Sequence, residues 1–201
     1  MERSSRFISL SGLSGVAAGT FAMLGALMAY LYLEISPFDQ QHVYYVSAVG
    51  ADKWGMDYIT FFLLDGTLVL IAALSVGIFF TTRKARQKGQ KIWDALTRRL
   101  LLSLSIPLVA GGIFCLALLY HGYTGLIAPA TLVFYGLGLV NASKYTLNDI
   151  QYLGISEIIL GLVAVFLPGY GLEFWTIGFG LLHILYGTLM YFKYERKTAS
   201  L

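Results

Sequence analysis

Long apolar runs separated by short polar segments constrain what this sequence can fold into more than any other feature. The clearest are two runs near its end, Leu153–Leu167 and Phe174–Phe192, which flank Pro168 and Gly169. A helix needs about 20 mainly apolar residues to cross a bilayer, and proline next to glycine is a common turn signal. These two runs therefore predict a pair of membrane-crossing helices joined by a tight turn.

Four further apolar runs precede this pair, and the six together occupy most of the 201 residues. Only 12% of the residues are charged, against about 25% in a typical soluble domain. We predict a single all-α, polytopic membrane domain, residues 1–201, whose six transmembrane helices form three hairpins. The predicted spans are approximately residues 7–33, 58–80, 100–120, 126–142, 153–167 and 174–192, with an external loop at 34–57 and a basic cytoplasmic linker at 81–99.

Basic residues fall almost entirely on one side of this six-span arrangement. Of the 14 Lys and Arg residues, only Lys53 falls on the opposite side. Because cytoplasmic loops carry an excess of Lys and Arg, we expect both termini in the cytoplasm and the protein in a bacterial inner membrane. The first apolar run is too long for a cleaved signal peptide, so we expect it to be a retained helix.

Half of the basic residues lie in and beside the predicted linker. This pattern suits either anionic lipid head groups or nucleic acid. The cytoplasmic charge bias accounts for it without nucleic acid, and each basic residue near an anionic leaflet gains about 1 kcal/mol. We predict contact with anionic inner-leaflet lipids, and no nucleic-acid partner, for Arg83, Lys84, Arg86, Lys88, Lys91, Arg98 and Arg99.

Small residues at helical spacing indicate where helices pack closely. Gly15 and Gly19 form a G-x-x-x-G pair with Ala22 near them, and Gly161 and Gly187 lie in later helices. In a bilayer, small residues let helix backbones approach, because packing rather than water drives association. We predict that these five residues form helix-packing faces, either within the chain or in an oligomer. A homo-oligomer and a larger membrane complex both stay open as partners.

The three predicted hairpins can be overlaid as an internal repeat, which is common in polytopic membrane folds. The first helices share six-residue segments ending in glycine, at Ser14–Gly19, Ile106–Gly111 and Ser156–Gly161. The second helices share a glycine after a polar or aromatic residue, at Asp65–Leu68, Tyr135–Gly138 and Tyr186–Leu189.

The closing hairpin resembles a known family. Gly154–Pro168, followed by Gly178-Phe179-Gly180 and Tyr186-Gly187, is similar to a hairpin of the HdeD-like proteins over about the last 45 residues. These are small six-helix bacterial inner-membrane proteins, one of them linked to acid resistance. The resemblance implies a non-enzymatic role in stress response or envelope homeostasis, and it supplies no catalytic residues. The long first loop, the basic linker and Asp65 depart from the family pattern.

Three ionisable residues lie inside the predicted spans, where a charge costs at least about 2.5 kcal/mol. They are Asp65, Glu157 and His183, and Asn141 is a polar fourth member. Each occupies a helix face rich in small residues or aromatics, which favours inward placement at neighbouring depths. Two hypotheses follow. Each group can simply hydrogen-bond within the bundle and fix helix packing, or together they can line a path for protons or a cation.

Enzyme motifs are absent from the sequence: it has no H-E-x-x-H, G-x-S-x-G, Walker loop or C-x-x-C. We therefore predict no catalytic residues, no metal site, no cofactor and no enzymatic activity. The leading functional hypothesis is a non-enzymatic, HdeD-like membrane protein. The alternatives are a small proton- or cation-coupled channel or transporter, and an accessory subunit of a larger membrane complex.

Overall fold

A computed structural model of this chain describes residues 11–38, 53–87, 89 and 92–195. The start of the first predicted span, most of the predicted external loop, Lys88 and Lys91 lie outside this part. Within it, six helices are long and apolar enough to cross a membrane. The prediction of an all-α, polytopic membrane protein is confirmed. The helices are α1 Gly12–Leu33, α2 Tyr58–Gln87, α3 Ala95–Tyr120, α4 Ile127–Ala142, α5 Asn148–Val165 and α6 Gly171–Tyr194.

Helices α2 and α3 extend into the segment that was predicted to be the basic linker, 81–99. Helix α2 continues to Gln87, and α3 begins at Ala95. Asp94 starts α3 by accepting a hydrogen bond from the Thr97 backbone N–H at 2.7 Å, which satisfies a free donor of the first turn. Arg, Lys and Gln are good helix formers. Hydropathy therefore locates the apolar part of each helix, while helix propensity and capping decide at which residue the helix ends.

The six helices form two groups of three. Helix α1 packs along both α2 and α6, and these three helices make group A. Helix α4 packs between α3 and α5, and these three make group B. The two groups meet at a seam, where α6 packs against α4 and α5. The two helices of the closing hairpin, α5 and α6, contact each other less than they contact α4 and α1.

Glycines set the closest helix approach in group A. A Cβ atom added to Gly187 on α6 would lie 2.5 Å from the Val16 backbone nitrogen and 2.7 Å from the Gly12 carbonyl oxygen on α1. Gly15 and Gly19 face the same stretch of α6, and Ala22 is buried farther along α1. The predicted packing face of α1 is thus covered by α6 of the same chain.

Glycines also set the helix approach in group B. A Cβ atom on Gly161 of α5 would lie 2.9 Å from the Pro129 carbonyl oxygen on α4. Gly136 of α4 and Gly154 of α5 face one another in the same way, since a Cβ atom on either would crowd the other's carbonyl oxygen. These positions have room for backbone only, so the small residues bring α4 and α5 into direct contact.

Two ion pairs lie at one end of the bundle, which we call the basic end. Glu195 accepts hydrogen bonds from the Gly12 backbone N–H at 2.6 Å and lies 3.2 Å from the Lys84 ammonium. Nearby, Lys193 donates to Asp149 at 3.0 Å. The first and last helices therefore have their outer termini at the same end, which an even number of crossings requires.

Candidate functional site

Three polar side chains from three helices meet at the seam. Glu157 comes from α5, His183 from α6 and Tyr135 from α4, and we call them the acid–imidazole cluster. His183 Nε2 lies 2.7 Å from the Tyr135 hydroxyl, and His183 Nδ1 lies 3.4 Å from Glu157 Oε1. Glu157 is 0% exposed and His183 is 6% exposed. The structure brings together two of the three ionisable residues that the sequence places inside the spans.

The hydrogen bonds of His183 determine which ring nitrogen carries the proton in the neutral state. Its Nδ1 lies 3.0 Å from the Gly178 carbonyl oxygen, and a carbonyl oxygen can only accept. Nδ1 must therefore carry the proton, which leaves Nε2 to accept from the Tyr135 hydroxyl. A second proton on the ring would enter at Nε2, and Tyr135 would then have to turn its hydroxyl from donor to acceptor.

Glu157 is the unusual member of the cluster. Both of its carboxylate oxygens are buried, and neither has a hydrogen-bond partner among the described residues. A buried carboxylate without compensation is costly, and it is neutralised either by its own proton or by a nearby cation. The only base beside it in the described part of the chain is His183. The cluster can therefore hold a proton on the carboxyl group or on the imidazole.

A π-helical segment in α6 positions the histidine. Residues Thr176–Leu182 form this wider helix, and His183 follows it directly. Such segments are rare and are frequent at functional sites. Gly178, inside the segment, leaves space for the acid: a Cβ atom there would lie 2.5 Å from Glu157 Oε2. The local geometry of α6 thus makes room for a carboxylate beside the imidazole.

Sequence reasoning identified Glu157 and His183 but not Tyr135 or the π-helical segment. A tyrosine inside an apolar run carries a hydroxyl that needs a partner once it is buried, and this signal would have marked Tyr135. The π-helical segment Thr176–Leu182 has no comparable signal, because its residues are ordinary for a membrane helix.

Asp65 lies away from the cluster. Its carboxylate sits against Gly25 of α1, since a Cβ atom on that glycine would lie 3.2 Å from Asp65 Oδ2. It lines a cavity of about 240 Å³ between the two helix groups, and Glu157 and His183 are not among the lining residues. The two acids therefore lie in different places, and Asp65 is not part of the acid–imidazole cluster.

Asn141 has a packing role in the structure. Its side-chain nitrogen donates to the Ser103 carbonyl oxygen at 2.8 Å, which fastens α4 to α3 inside group B. It therefore lies apart from the cluster and from the Asp65 cavity. Like Asp65, it was predicted from the sequence as a path residue because it is polar within an apolar run.

The predicted lipid-contact residues separate into three sets. Lys84 is buried and paired with Glu195, whose carboxylate lies 3.2 Å from the ammonium, so its charge is directed into the protein rather than toward head groups. Lys88 and Lys91 lie outside the described residues. The remaining members are exposed, namely Arg83, Arg86, Arg98 and Arg99.

The chain matches no protein-family model, no curated protein and no solved structure. Its fold and its site define the class: a polytopic helical membrane protein with a buried acid–imidazole cluster where two helix groups meet. That cluster is the strongest guide to its function.

Proposed function

We propose that this chain is a non-enzymatic, HdeD-like protein of a bacterial inner membrane that responds to acid or envelope stress through protonation of the acid–imidazole cluster. The resemblance of the closing hairpin supports the family and the class of response. The Lys and Arg distribution supports an orientation with the basic end in the cytoplasm.

The observation that carries the proposal is the placement of Glu157. Its carboxylate is wholly buried, has no hydrogen-bond partner among the described residues and lies 3.4 Å from His183 Nδ1. A pair that served packing alone would be expected to satisfy its oxygens with hydrogen bonds, because buried polar groups in proteins nearly always do so. An imidazole ordinarily changes charge between pH 5 and 8, which is the range an acid response requires.

Protonation at this place would act on helix packing. Tyr135 belongs to group B and His183 to group A, and their 2.7 Å hydrogen bond joins the groups. A proton that binds to Nε2 occupies the lone pair that accepts the hydrogen bond from the Tyr135 hydroxyl. The tyrosine must then reorient, and the charge at the seam changes with it. Proton uptake is in this way coupled to the contact between α4 and α6.

A second candidate function is proton- or cation-coupled transport. The observation in its favour is the continuity of Tyr135, His183 and Glu157, which form a row of exchangeable groups from α4 through α6 to α5. A row of this kind can pass a proton as well as hold one. Asp65, which lies in a separate cavity, is not a member of the row.

Reconstitution in liposomes tests both functions in one experiment. The variant Trp54→Phe/Trp93→Phe leaves Trp175 as the only tryptophan, and Trp175 contacts Phe179, which stacks on His183. The outside pH is lowered from 7.5 to 5 while Trp175 fluorescence and an internal pH dye are followed. Asp94→Asn, which changes an exposed carboxylate at the basic end, is the matched control.

The outcomes separate the candidates. A fluorescence transition without dye response, abolished by Glu157→Gln and by His183→Gln but kept by Asp94→Asn, supports the acid response. Internal acidification that requires Glu157 supports transport. A Trp175 signal and an internal pH that are both the same in the wild type and in Glu157→Gln would overturn both.

A further inference from the structure

A second site lies in the cavity that contains Asp65. The cavity has a volume of about 240 Å³ and opens between α2 of group A and the α3–α4 turn of group B. Asp65 is the one acidic or basic side chain among the described residues that line it. The other walls are apolar and aromatic, with Tyr58, Phe62 and Trp175 among them.

The described part of the chain places no counter-charge beside the Asp65 carboxylate. No described residue forms a hydrogen bond or an ion pair with it, and the group is only partly exposed. Asp65 is the eighth residue of α2, which places it about 10 Å into the span at 1.5 Å per residue. At this depth an ionised carboxylate is costly unless it takes up a proton or a cation accompanies it. A cation that can enter the hydrocarbon region would therefore stabilise the ionised form of Asp65.

The walls of the cavity indicate what kind of cation. Aromatic faces attract ammonium groups, and quaternary ammonium ligands are bound in aromatic surroundings in this way. A small metal ion would need several oxygen ligands, whereas the side chains of this cavity offer one carboxylate and the hydroxyls of Tyr58, Thr124 and Thr131. A cation with an apolar shell fits this lining better than a metal ion does.

The size of the cavity limits the ligand to a head group. At about 240 Å³ it is smaller than the roughly 300–1,000 Å³ of pockets that enclose drug-sized ligands. Ile59 and Leu63 line it and are 39% and 51% exposed, so an apolar remainder can extend past them into the bilayer. We propose that the Asp65 cavity binds the ammonium group of a lipophilic ligand.

The Asp65 cavity is a separate site from the acid–imidazole cluster, because Glu157 and His183 do not line it. The test uses the full chain in phosphatidylglycerol nanodiscs, with Trp54→Phe/Trp93→Phe so that fluorescence reports Trp175 alone. The probe is benzyltrimethylammonium. Its uncharged control is neopentylbenzene, which replaces the quaternary nitrogen with carbon and keeps the same shape. We expect saturable quenching by the ammonium compound and at least tenfold weaker binding of the hydrocarbon.

Matched variants locate the site. Asp65→Asn should weaken binding of the ammonium probe at least tenfold, while Asp57→Asn, the same change just before α2, should leave it unchanged. Gly66→Leu should also weaken binding, because it adds bulk to a lining position where a Cβ atom meets nothing within 4 Å. Equal affinity of wild type and Asp65→Asn, or of the probe and neopentylbenzene, would overturn the proposal.

The source of the natural ammonium group is distinguished by lipid composition. Nanodiscs that also contain phosphatidylethanolamine present an ammonium head group in the lipid itself. Competition with the probe in these nanodiscs would assign the site to a lipid amine, and unchanged probe affinity would assign it to a free lipophilic cation. In both cases the site recognises an ammonium group through Asp65.

Discussion

His183 Nδ1 and Glu157 Oε1 lie 3.4 Å apart across the seam between the two helix groups. Neither residue is more than 6% exposed. Water cannot screen an interaction at such a site as it does at a surface, so removal of one partner affects the other strongly.

The two side chains should therefore be energetically coupled. We expect Glu157→Gln and His183→Gln each to lower the melting temperature in detergent, and the double variant to lose less than the sum. Groups in direct contact typically show coupling of about 0.5–3 kcal/mol. The control cycle pairs Glu157→Gln with Asn141→Ala, which acts between α3 and α4 and should be additive. Additive losses for Glu157 and His183 would contradict the pairing.

The neutral imidazole of His183 should carry its proton on Nδ1. The Gly178 carbonyl oxygen, 3.0 Å from Nδ1, can only accept. Nitrogen-15 NMR of labelled histidine in His42→Gln/His121→Gln protein distinguishes the two neutral tautomers. In Tyr135→Phe the Nε2 resonance should shift, because the ring nitrogen loses the hydroxyl donor at 2.7 Å, while the tautomer stays the same. A neutral ring protonated on Nε2 in the wild type would refute this assignment.

Gly187→Ala should destabilise the protein although alanine is the better helix former by about 1 kcal/mol. The added Cβ atom would lie 2.5 Å from the Val16 backbone nitrogen, and backbone atoms cannot move aside as a side chain can. We expect a lower melting temperature in detergent, with a cost of about 1–3 kcal/mol from overpacking. Gly112→Ala is the control, since its Cβ atom meets nothing within 4 Å; it should be neutral or stabilising. Equal effects at both positions would argue against close contact of α1 with α6.

Asp94 should stabilise the first turn of α3 in a pH-dependent manner. The hydrogen bond from the Thr97 backbone N–H lowers the pKa of Asp94 from its ordinary value of 3.8. A depressed pKa means that the stabilisation is complete above the unfolded-state pKa of about 3.9 and is lost as the pH falls through the folded-state value.

Hydrogen exchange at Thr97 measures this cap. Asp94→Ala should raise exchange at pH 7 by several-fold, in keeping with about 1 kcal/mol for the loss of a capping side chain. At pH 2.5 the wild type and Asp94→Ala should differ much less. An asparagine at position 94 can cap the helix but does not titrate. The ratio of the Thr97 exchange rates in Asp94→Asn and Asp94→Ala should therefore be the same at both pH values. The same difference between wild type and Asp94→Ala at both pH values would contradict the assignment.

Hydropathy was sufficient to predict the six helices, because the bilayer requires long apolar runs whatever their partners are. It also marked Glu157 and His183, since ionisable residues inside such runs are rare. The arrangement of helices was less accessible. Adjacent helices suggest hairpins, yet α6 packs mainly on α1 and α5 mainly on α4, and this choice depends on surface fit between segments far apart in the chain.

Individual side chains show the same limit. Depth along a helix can be counted from the sequence, but the direction in which Asp65 points depends on how α2 is rotated against α1. Lys84 resembles its exposed basic neighbours, and its partner Glu195 lies four helices later in the chain. Neither placement could be predicted without the tertiary structure.

The division into two helix groups limits how the molecule can move. The chain passes from one group to the other in only two places, between Gln87 and Ala95 and between Val165 and Gly171. The first crossing is at the basic end. The chain then runs through the three helices of group B, so the second crossing is at the opposite end. Apart from these two connections, the two groups are held together by the non-covalent contacts of the seam, among them the hydrogen bond between Tyr135 and His183.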